Sequence, residues 1–398
     1  MSESPPTAVH GAHAAPPALW DVLPAEQQPH WSAHPDLHDV RRALRDAPAL
    51  ATAQEVRTLR RTLAEVALGR ARLLQTGDCA EDIHACGPEH TAAKSELLCE
   101  LSDRLARHTG QQVVRIGRMG GQFAKPRSSP TETYDGMPIP AFRGHLINSP
   151  ERSLLSRRHD PNRMLQAYEA SASVLRGLEK ERTDTRGPWS SHEALVMNYE
   201  SPLVRRDPET GAAYLASTHF PWVGERTRQP GLAHVEFLAA ISNPIACKIG
   251  PTATPDDVVR LCRILDPNRL PGRLTLILRM GLRGVGAIAP IAAAVRREGN
   301  PVIWLSDPMH GNTERTESGL KTRHLADIIV EAVTFRQVLE QHGLHVGGLH
   351  LETATDDVTE CIGGPVPGEH ALAERYESLC DPRLNPRQAR ELIDAVFC

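Results

Sequence analysis

The 398-residue chain lacks an apolar run long enough to cross a bilayer and lacks a large excess of basic residues. A spanning helix needs roughly 20 consecutive apolar residues, and nucleic-acid recognition usually needs a strongly basic surface. The formal charge of −4 therefore argues against a nucleic-acid partner, and the missing run argues against a membrane protein. The first residues also lack the basic start and apolar segment of a secretory signal, so we expect a cytoplasmic protein.

Lysine is scarce in this chain, since only five of its 45 basic residues are lysines. Three of the five lie in the motif-like segments AKPRS, ACKIG and GLKTRH. Where arginine is otherwise preferred, a retained lysine can mark a position that needs a compact ammonium group. A solvated surface position is the ordinary explanation for any single lysine.

A disulfide framework is also not expected. The eight cysteines are spread over a long chain, whereas disulfide frameworks are typical of small secreted domains. We expect most of these cysteines to be reduced and buried as small apolar residues.

Short apolar runs alternate with helix-like stretches along most of the chain. This alternation predicts a parallel sheet with right-handed crossovers. An open doubly wound sheet fits less well, because no glycine-rich phosphate turn follows the first predicted strand. We therefore predict an α/β fold, a (β/α)8 TIM barrel with an N-terminal helical extension. The predicted strands cover 73–78, 113–117, 193–200, 244–250, 274–280, 301–306, 346–352 and a short segment at 379–381.

The chain divides, on this prediction, into an N-terminal arm with helices at 1–66 and a catalytic barrel at 67–398. Residues 1–36 are rich in Pro, Ala and His, and Trp20 and Trp31 are candidates for anchoring this arm. Segments 128–160 and 201–232 resemble long loops, which in compact proteins often form lids or binding surfaces.

Several apolar runs end in a residue that can bind a metal. Reactive groups at the carboxyl ends of parallel strands form the active site of a βα barrel. A thiolate, an imidazole and two carboxylates suit a divalent transition metal, and their wide spacing favours a catalytic site over a structural one. From the residues alone, an ordinary structural role is an equal alternative for each of these groups. His310 could be a core histidine, and Glu352 could be an ion-pair partner. The four candidate ligands are Cys79, His310, Glu352 and Asp381.

Cationic side chains are expected at the same mouth. Arginine binds phosphate and carboxylate with two parallel hydrogen bonds, and lysine adds a point charge, so a substrate with several negative charges is indicated. Surface ion pairs are the alternative, but Lys248 and Arg279 lie within apolar strands, where an unpaired cation is costly. Glu225 and Arg226 are adjacent in WVGERTRQ, where a loop salt bridge is the simpler interpretation. The remaining cations of this group are Arg118, Arg127 and Lys321.

Ten segments in this order resemble one enzyme family. They are LLQTGDCAED, GQFAKPRS, WVGERTRQPGLAHVEF, NPIACKIGP, LRMG, WLSDPMHGNT, GLKTRH, HLE, VTECIGG and CDPRLN. Together they resemble type II 3-deoxy-D-arabino-heptulosonate 7-phosphate (DAHP) synthase, in a short form like those of secondary metabolism. The resemblance begins near residue 23 and continues to the C-terminus. It implies condensation of phosphoenolpyruvate with erythrose 4-phosphate and water to give DAHP and phosphate, the first step of the shikimate pathway.

The resemblance also implies roles for individual residues. Cys79, His310, Glu352 and Asp381 match the family's ligands for a divalent metal, with Mn²⁺ as the first expectation and Co²⁺, Fe²⁺ or Zn²⁺ as alternatives. Phosphoenolpyruvate is expected at Arg118, Glu225, Arg226, Lys248 and Arg279. The aldose phosphate is expected at Lys125, Pro126, Arg127, Ser128 and Lys321. The catalytic residues are expected to be Lys248, Glu225, Asp307 and Arg226, with Lys248 or a water held by Glu225 transferring protons.

The sequence departs from the family pattern at two places. Long regulated members carry an extra helical pair near EKERTDTRGPW, where this chain has only a brief polar linker, so we expect little or no feedback by Trp, Phe or Tyr. His145 in RGHLIN stands where the family usually has an acid. In addition, Cys380 precedes Asp381, and a disulfide between Cys79 and Cys380 is a hypothesis.

Other functions stay open at this stage. The same chemistry could act on an amino sugar phosphate, although KPRS and KTRH indicate that the acceptor carries phosphate. A non-catalytic regulatory paralogue would have no need of four metal ligands, and a metal-dependent hydrolase would not need two anion sites. The expected partners are small-molecule substrates and a second copy of the chain, because symmetric dimers are the commonest assemblies.

Overall fold

Eight parallel strands close into a barrel, which confirms the predicted fold class. The computed structural model describes residues 18–398, so residues 1–17 of the predicted arm lie outside the described residues. Each strand pairs with its neighbours in chain order, and the last strand pairs with the first. The barrel strands are β1 Ala71–Gly77, β2 Gln112–Arg118, β3 Trp189–Glu193, β4 Phe220–Val223, β5 Ile245–Ile249, β6 Leu274–Leu278, β7 Ile303–Ser306 and β8 Gly348–Glu352.

Helices surround the barrel and precede it. They are α1 Leu19–Val22, α2 Leu37–Asp46, α3 Ala53–Ala67, α4 Pro88–Thr109, α5 Arg163–Glu181, α6 Met197–Glu200, α7 Ala233–Ala240, α8 Pro255–Leu265, α9 Ile288–Glu298, α10 Leu325–Gln341 and α11 Pro386–Phe397. Short 3-10 helices lie at Ile83–Ala85, Ser201–Leu203, Leu282–Ala287 and Glu369–Glu374. In the described part of the chain three hairpins lie outside the barrel: Thr131–Tyr134 with Met137–Pro140, Val204–Arg206 with Ala213–Leu215, and Glu314–Arg315 with Lys321–Thr322. Within residues 18–398, no helix has the length and apolar character needed to cross a membrane.

Two of the predicted strands were wrong. The strand predicted at 193–200 lies earlier, at Trp189–Glu193, and Met197–Glu200 is helical. The segment 379–381 is not a strand. The strand that completes the barrel is β4, Phe220–Val223, which lies inside the predicted loop 201–232. This strand has only four residues and includes a proline, so its apolar signal is short. It is held between β3 and β5 by the pairs Ser191↔Phe220 and Trp222↔Ala246.

Helix α3 covers the end of the barrel at which the strands begin. Its Leu59, Leu63 and Val66 pack in one cluster with strand residues that include Ala71 and Phe220, the first residues of β1 and β4. The helix starts at a capping box in which Thr52 Oγ1 accepts from Glu55 N and Glu55 accepts from Thr52 N. The division at residue 66 stays a prediction, and this packing joins its two sides in one cluster.

The N-terminal segment is anchored by its two tryptophans. Trp20 donates from Nε1 to Ser201 Oγ over 3.1 Å, and its ring meets Phe237 edge to face. Trp31 is buried in the main cluster. Because α3 covers the end of the barrel where the strands begin, the opposite end, where the strands finish, is available for the functional residues.

Candidate active site

A cavity of about 750 Å³ opens at the carboxyl ends of the barrel strands. Strand residues and the loops that follow the strands form its walls. The predicted residues Cys79, Asp307 and Glu352 are buried close to this cavity. The predicted residues that line it are Arg118, Lys125, Pro126, Arg127, Ser128, Glu225, Arg226, Lys248, Arg279, His310, Lys321 and Asp381.

Three of the four predicted metal ligands group together beside this cavity, and the fourth, His310, contacts one of them but is grouped with Asp307 and His350. The thiol sulfur of Cys79 and one carboxylate oxygen each of Glu352 and Asp381 lie within 4.8 Å of one another. His310 Nε2 lies 3.0 Å from Glu352 Oε1. The barrel brings Cys79 and Glu352 together because β1 and β8 are neighbours with Gly77 opposite Glu352. Asp381 reaches the group from the loop after β8, where its backbone N–H donates to Cys79 Sγ over 3.0 Å.

The ammonium group of Lys125 lies among these anionic groups. Its Nζ is 3.2 Å from Cys79 Sγ and 3.6 Å from Glu352 Oε1, and it forms an ion pair with Asp381. Lys321 also reaches this group, with Nζ 2.6 Å from Asp381 Oδ1. Both lysines were predicted to bind the aldose phosphate, and in this structure both are paired with Asp381. The ammonium of Lys125 is the group that contacts the thiol and both acids.

The electrostatics of the group favour its anionic forms. Burial would raise the pKa of Glu352, but His310, Lys125 and Arg323 hold it well below its usual value. Burial also opposes ionisation of Cys79, yet contacts with Cys380 and Lys125 lower the pKa of this thiol to about 7. The thiolate is the form that binds metals, and with this pKa a substantial fraction of Cys79 is ionised near neutral pH.

Arg323 is a buried partner of this group that the sequence analysis missed. Its Nη1 lies 2.8 Å from Glu352 Oε2, and both side chains are fully buried. Arg118 pairs with the same carboxylate, with Nη2 3.0 Å from Glu352 Oε1. Arg323 lies in GLKTRH, so the motif was noticed while this residue was not.

Lys248 is the centre of a second group. Its Nζ donates to Asp307 Oδ2 over 2.9 Å and lies 3.5 Å from His310 Nδ1, which itself is 2.8 Å from Asp307 Oδ2. Trp222 presents its ring 5.9 Å from this ammonium, which adds a cation–π contact. Burial lowers the pKa of Lys248 to about 8, with Asp307 acting in the opposite direction. At neutral pH the amine therefore stays mostly protonated, but it loses its proton more readily than an ordinary lysine.

Glu225 pairs with Arg228 and not with its neighbour Arg226. Two parallel hydrogen bonds of 2.7 Å join the Arg228 guanidinium to the Glu225 carboxylate. The same carboxylate accepts from Gly250 N over 2.6 Å, which ties the loop after β4 to the loop after β5. Arg279 donates from Nη2 to the carbonyl oxygen of His310 over 2.8 Å.

Glu193 is a second cavity residue that the sequence analysis missed. It is the last residue of β3, lines the cavity and is 9 % exposed. Its carboxylate lies so close to Gly224 that a Cβ there would come within 2.1 Å of Oε1. Burial raises the pKa of Glu193, and Lys248 and Lys125 only partly oppose this. The acid was missed because the strand was predicted to begin at 193, whereas it ends there.

Glu331 on α10 holds two loops of the cavity together. Its Oε1 accepts from Met280 N over 3.1 Å and from Gly281 N over 2.9 Å, and its Oε2 accepts from Asn312 Nδ2 over 2.6 Å. The loops also meet through glycine backbones, since a Cβ on Gly311 would lie 2.1 Å from Gly281 N. The loop that carries Arg279 is thereby fixed against the loop that carries His310.

All eight cysteines are free, and six of them are buried. This agrees with the expectation for most of them. Cys79 and Cys380 pack in one small cluster with Phe142, but the disulfide hypothesised between them is not formed in this structure.

Comparison with known proteins identifies relatives over nearly the whole chain. The sequence model of the class-II DAHP synthetase family matches residues 15–185 and 176–396. A protein from Pseudomonas fluorescens named probable phospho-2-dehydro-3-deoxyheptonate aldolase is 46% identical over 372 residues, which cover 92% of both chains. A phospho-2-dehydro-3-deoxyheptonate aldolase from Streptomyces coelicolor is 38% identical over 432 residues, covering 95% of both. The solved structure of a phospho-2-dehydro-3-deoxyheptonate aldolase from Francisella tularensis aligns with a TM-score of 0.52 at 15% identity, covering 90% of this chain and 96% of that one, which supports the fold alone.

Proposed function

The chain belongs to the class-II DAHP synthetase family, and we propose that its barrel cavity condenses phosphoenolpyruvate with erythrose 4-phosphate and water to give DAHP and phosphate. The main support for this reaction is that one cavity combines a buried cluster of thiol and acid groups with many cationic side chains. Both substrates are anions, and a site that holds them together must offset their repulsion. Positioned cations do this and also supply proximity.

We propose Cys79, His310, Glu352 and Asp381 as the ligands of a divalent metal, with Mn²⁺ as the first candidate and Co²⁺, Fe²⁺ and Zn²⁺ as alternatives. Three observations support the fit: Cys79, Glu352 and Asp381 lie close together with His310 beside Glu352, these three donors all contact the ammonium of Lys125, and surrounding charges keep Glu352 ionised. Sulfur, imidazole and carboxylate ligands together suit a transition metal. When bound, such an ion would polarise the aldehyde of erythrose 4-phosphate as a Lewis acid.

For phosphoenolpyruvate we propose a site made of Arg118, Arg226, Lys248 and Arg279, with Glu225 as a positioning residue. Arg118 is fixed by Glu352, and Lys248 is fixed by Asp307, so these cations are oriented before substrate arrives. Preorganised charges of this kind cost little reorganisation during the reaction. The bidentate pair with Arg228 occupies the Glu225 carboxylate, which favours a positioning role over proton transfer.

For the aldose phosphate we propose the segment Lys125, Pro126, Arg127 and Ser128 together with Lys321. All five residues line the cavity, and the two lysines approach Asp381 from different elements. Arg127 is held by its backbone N–H, which donates to Gln27 Oε1 over 3.0 Å. A phosphate held by this segment would let the aldehyde end of the sugar reach the candidate metal ligands, where Lys248 Nζ lies 3.5 Å from His310 Nδ1.

Proton transfer is assigned to Lys248 and Glu193. The enol carbon of phosphoenolpyruvate attacks the aldehyde carbon, the aldehyde oxygen becomes a hydroxyl, and water adds to the former enol ether carbon. The hydroxyl that the water has formed then loses its proton as phosphate leaves with cleavage of its carbon–oxygen bond, and the ketone of DAHP results. The ammonium of Lys248 can donate the proton that the new hydroxyl needs, and the carboxylate of Glu193, with its raised pKa, can accept one from the attacking water.

The linker between α5 and β3 supports an unregulated enzyme that serves secondary metabolism. Only residues 182–188 connect the two elements, and the family model matches in two segments that overlap at residues 176–185. Regulated members are expected to carry their effector-binding helices here. We also propose a cytoplasmic location and a homodimer.

A coupled assay tests the proposed function. Purified protein should consume phosphoenolpyruvate only when erythrose 4-phosphate is present, with release of one phosphate for each molecule consumed. An amino sugar phosphate in place of erythrose 4-phosphate separates the alternative acceptor. Failure of both acceptors with a metal-loaded protein would contradict the proposal and favour a non-catalytic role.

A further inference from the structure

A second group of potential metal ligands lies outside the catalytic cavity. Asp82, His84 and His145 each place one ligand atom within 4.8 Å of the others. Asp82 caps the 3-10 helix Ile83–Ala85, where its Oδ1 accepts from His84 N over 2.9 Å. His145 approaches from the segment between the hairpin at 131–140 and α5, and its ring meets the ring of His84 edge to face at 5.7 Å.

The buried ring of His145 has one nitrogen, Nε2, that makes no hydrogen bond to the described residues. The residue is 2 % exposed, and its Nε2 has no hydrogen-bond partner among the described residues, although Asp82 Oδ1 lies 3.4 Å away. Buried polar atoms in native proteins are normally satisfied, so an exception calls for an explanation. Burial lowers the pKa of His145, which keeps the imidazole neutral at pH 7. A neutral imidazole is the form that binds metals.

We propose that Asp82, His84 and His145 form a second binding site for a first-row divalent transition metal such as Co²⁺ or Zn²⁺. Ligands at about 2.0–2.1 Å from a tetrahedral ion are about 3.4 Å from one another, and Asp82 Oδ1 and His145 Nε2 already have this separation. The third ligand, His84, is exposed and can swing toward the ion. Two imidazoles and one carboxylate favour such ions over Mg²⁺ or Ca²⁺.

One neighbour sets the strength of this site. Arg163 donates from Nε to the carbonyl oxygen of His145 over 2.6 Å, and its Nη2 lies 3.4 Å from Nδ1 of the same ring. Ligation through Nε2 places the ring proton on Nδ1, where it faces this guanidinium. The contact opposes binding, so the ion exchanges readily and is not a permanent structural metal.

Occupation of the site would connect two segments of the catalytic cavity. Asp82 lies on the loop that carries Cys79. The segment that carries His145 is hydrogen-bonded to the segment that carries Lys125. Lys125 N donates to Arg143 O over 2.9 Å, and Leu146 N donates to Phe123 O over 3.0 Å. A bound ion would fasten these two segments to each other at a point outside the cavity.

Cobalt binding tests the site directly. Wild-type protein and the variants His84→Ala, Asp82→Asn and His38→Ala are dialysed to equilibrium against saturating Co²⁺, and the bound cobalt per chain and the visible spectrum of each are measured in the presence of the free ion. His38 is the matched control, since its side chain is 85 % exposed and lies on α2. Asp82→Asn is the variant that keeps the helix cap.

We expect His84→Ala and Asp82→Asn to bind one cobalt ion fewer than the wild type and His38→Ala, with DAHP synthase activity of His84→Ala unchanged. The lost ion should contribute no thiolate-to-cobalt band, because the site has no sulfur, whereas an ion at Cys79 should contribute one. Equal cobalt content in wild type and His84→Ala overturns the inference, as does loss of the thiolate band with the missing ion. If the catalytic group binds no metal, every count falls by one while the difference between variants stays, so the two proposals fail separately.

Discussion

Glu331 Oε2 accepts a hydrogen bond from Asn312 Nδ2 over 2.6 Å, and through it one buried carboxylate on α10 links the loops that follow β6 and β7. Burial raises the pKa of Glu331 to about 7 from its usual 4.5. Between pH 4.5 and pH 7, Glu331 is therefore protonated in the folded protein and ionised in the unfolded chain. Stability from this group is fully present below pH 4.5 and is lost as the pH rises through 7.

Glu331→Gln should remove this dependence on pH. In the wild type we expect the free energy of unfolding to fall between pH 5 and pH 8 by an amount on the order of 2–3 kcal/mol more than in the variant. Denaturant unfolding at the two pH values measures the difference. The variant should also raise KM for phosphoenolpyruvate, because the loop of Arg279 loses an anchor. Equal pH dependence in the two proteins would show that the carboxyl group does not titrate in this range.

Glu193→Gln should lower kcat with little change in either KM. The amide keeps the shape of the side chain and cannot accept a proton, and general-base contributions are typically about 10²–10⁴-fold. If the carboxylate is the active form, wild-type kcat should fall as the pH drops through its raised pKa, and the variant should lack this acid limb. Glu314→Gln on the exposed hairpin serves as the control. A variant with wild-type kcat excludes Glu193 from proton transfer.

Removal of divalent metal should abolish activity, and adding Mn²⁺ should restore it. Cys79→Ser should weaken metal binding by at least about 10-fold, because it replaces a thiol whose pKa is lowered to about 7 with a hydroxyl that stays protonated. Cys380→Ser, which changes the neighbouring thiol, should keep its metal. Dialysis against a chelator followed by metal titration and assay measures both effects. Full activity of the wild type in chelator would remove the case for a metal enzyme.

Arg323→Met should destabilise the protein far more than Arg263→Met. Arg323 pairs with Glu352 where both side chains are fully buried, and removing one partner of a buried pair costs about 3–5 kcal/mol. Arg118 and Lys125 still contact the carboxylate, so we expect a loss at the lower end of this range. Arg263 forms a similar pair with Glu298 at the surface, with 62 % of its side chain exposed, where pairs contribute about 0–1 kcal/mol. Urea unfolding of the two variants compares them. Similar losses in both would mean that the buried pair is not a stabilising partner of Glu352.

Trp, Phe and Tyr should not inhibit the enzyme when added singly or together. The chain connects α5 to β3 through residues 182–188, which leaves no room for the helical pair of regulated members. Initial rates with increasing concentrations of each amino acid, under subsaturating substrates, measure this. Strong inhibition by any of them would require an effector site elsewhere in the fold.

The sequence determined the parts of this protein that depend on local pattern. Continuous apolar runs such as IACKI and LTLIL are buried on both faces, as parallel strands are, so the alternation was enough to predict the barrel. The same pattern placed Glu352 at a strand end and Cys79 just after one. Their proximity then followed from barrel closure alone.

Tertiary structure decided what no local pattern carries. Phe220–Val223 is a strand because β3 and β5 leave a gap of one strand between them, not because four residues with a proline have a strong preference. Glu193 faces the cavity because its strand ends where it was expected to begin. Lys125 meets Cys79 and Asp381 through contacts between residues far apart in the chain, and such partners are chosen by packing and charge in three dimensions, which a linear sequence pattern does not encode.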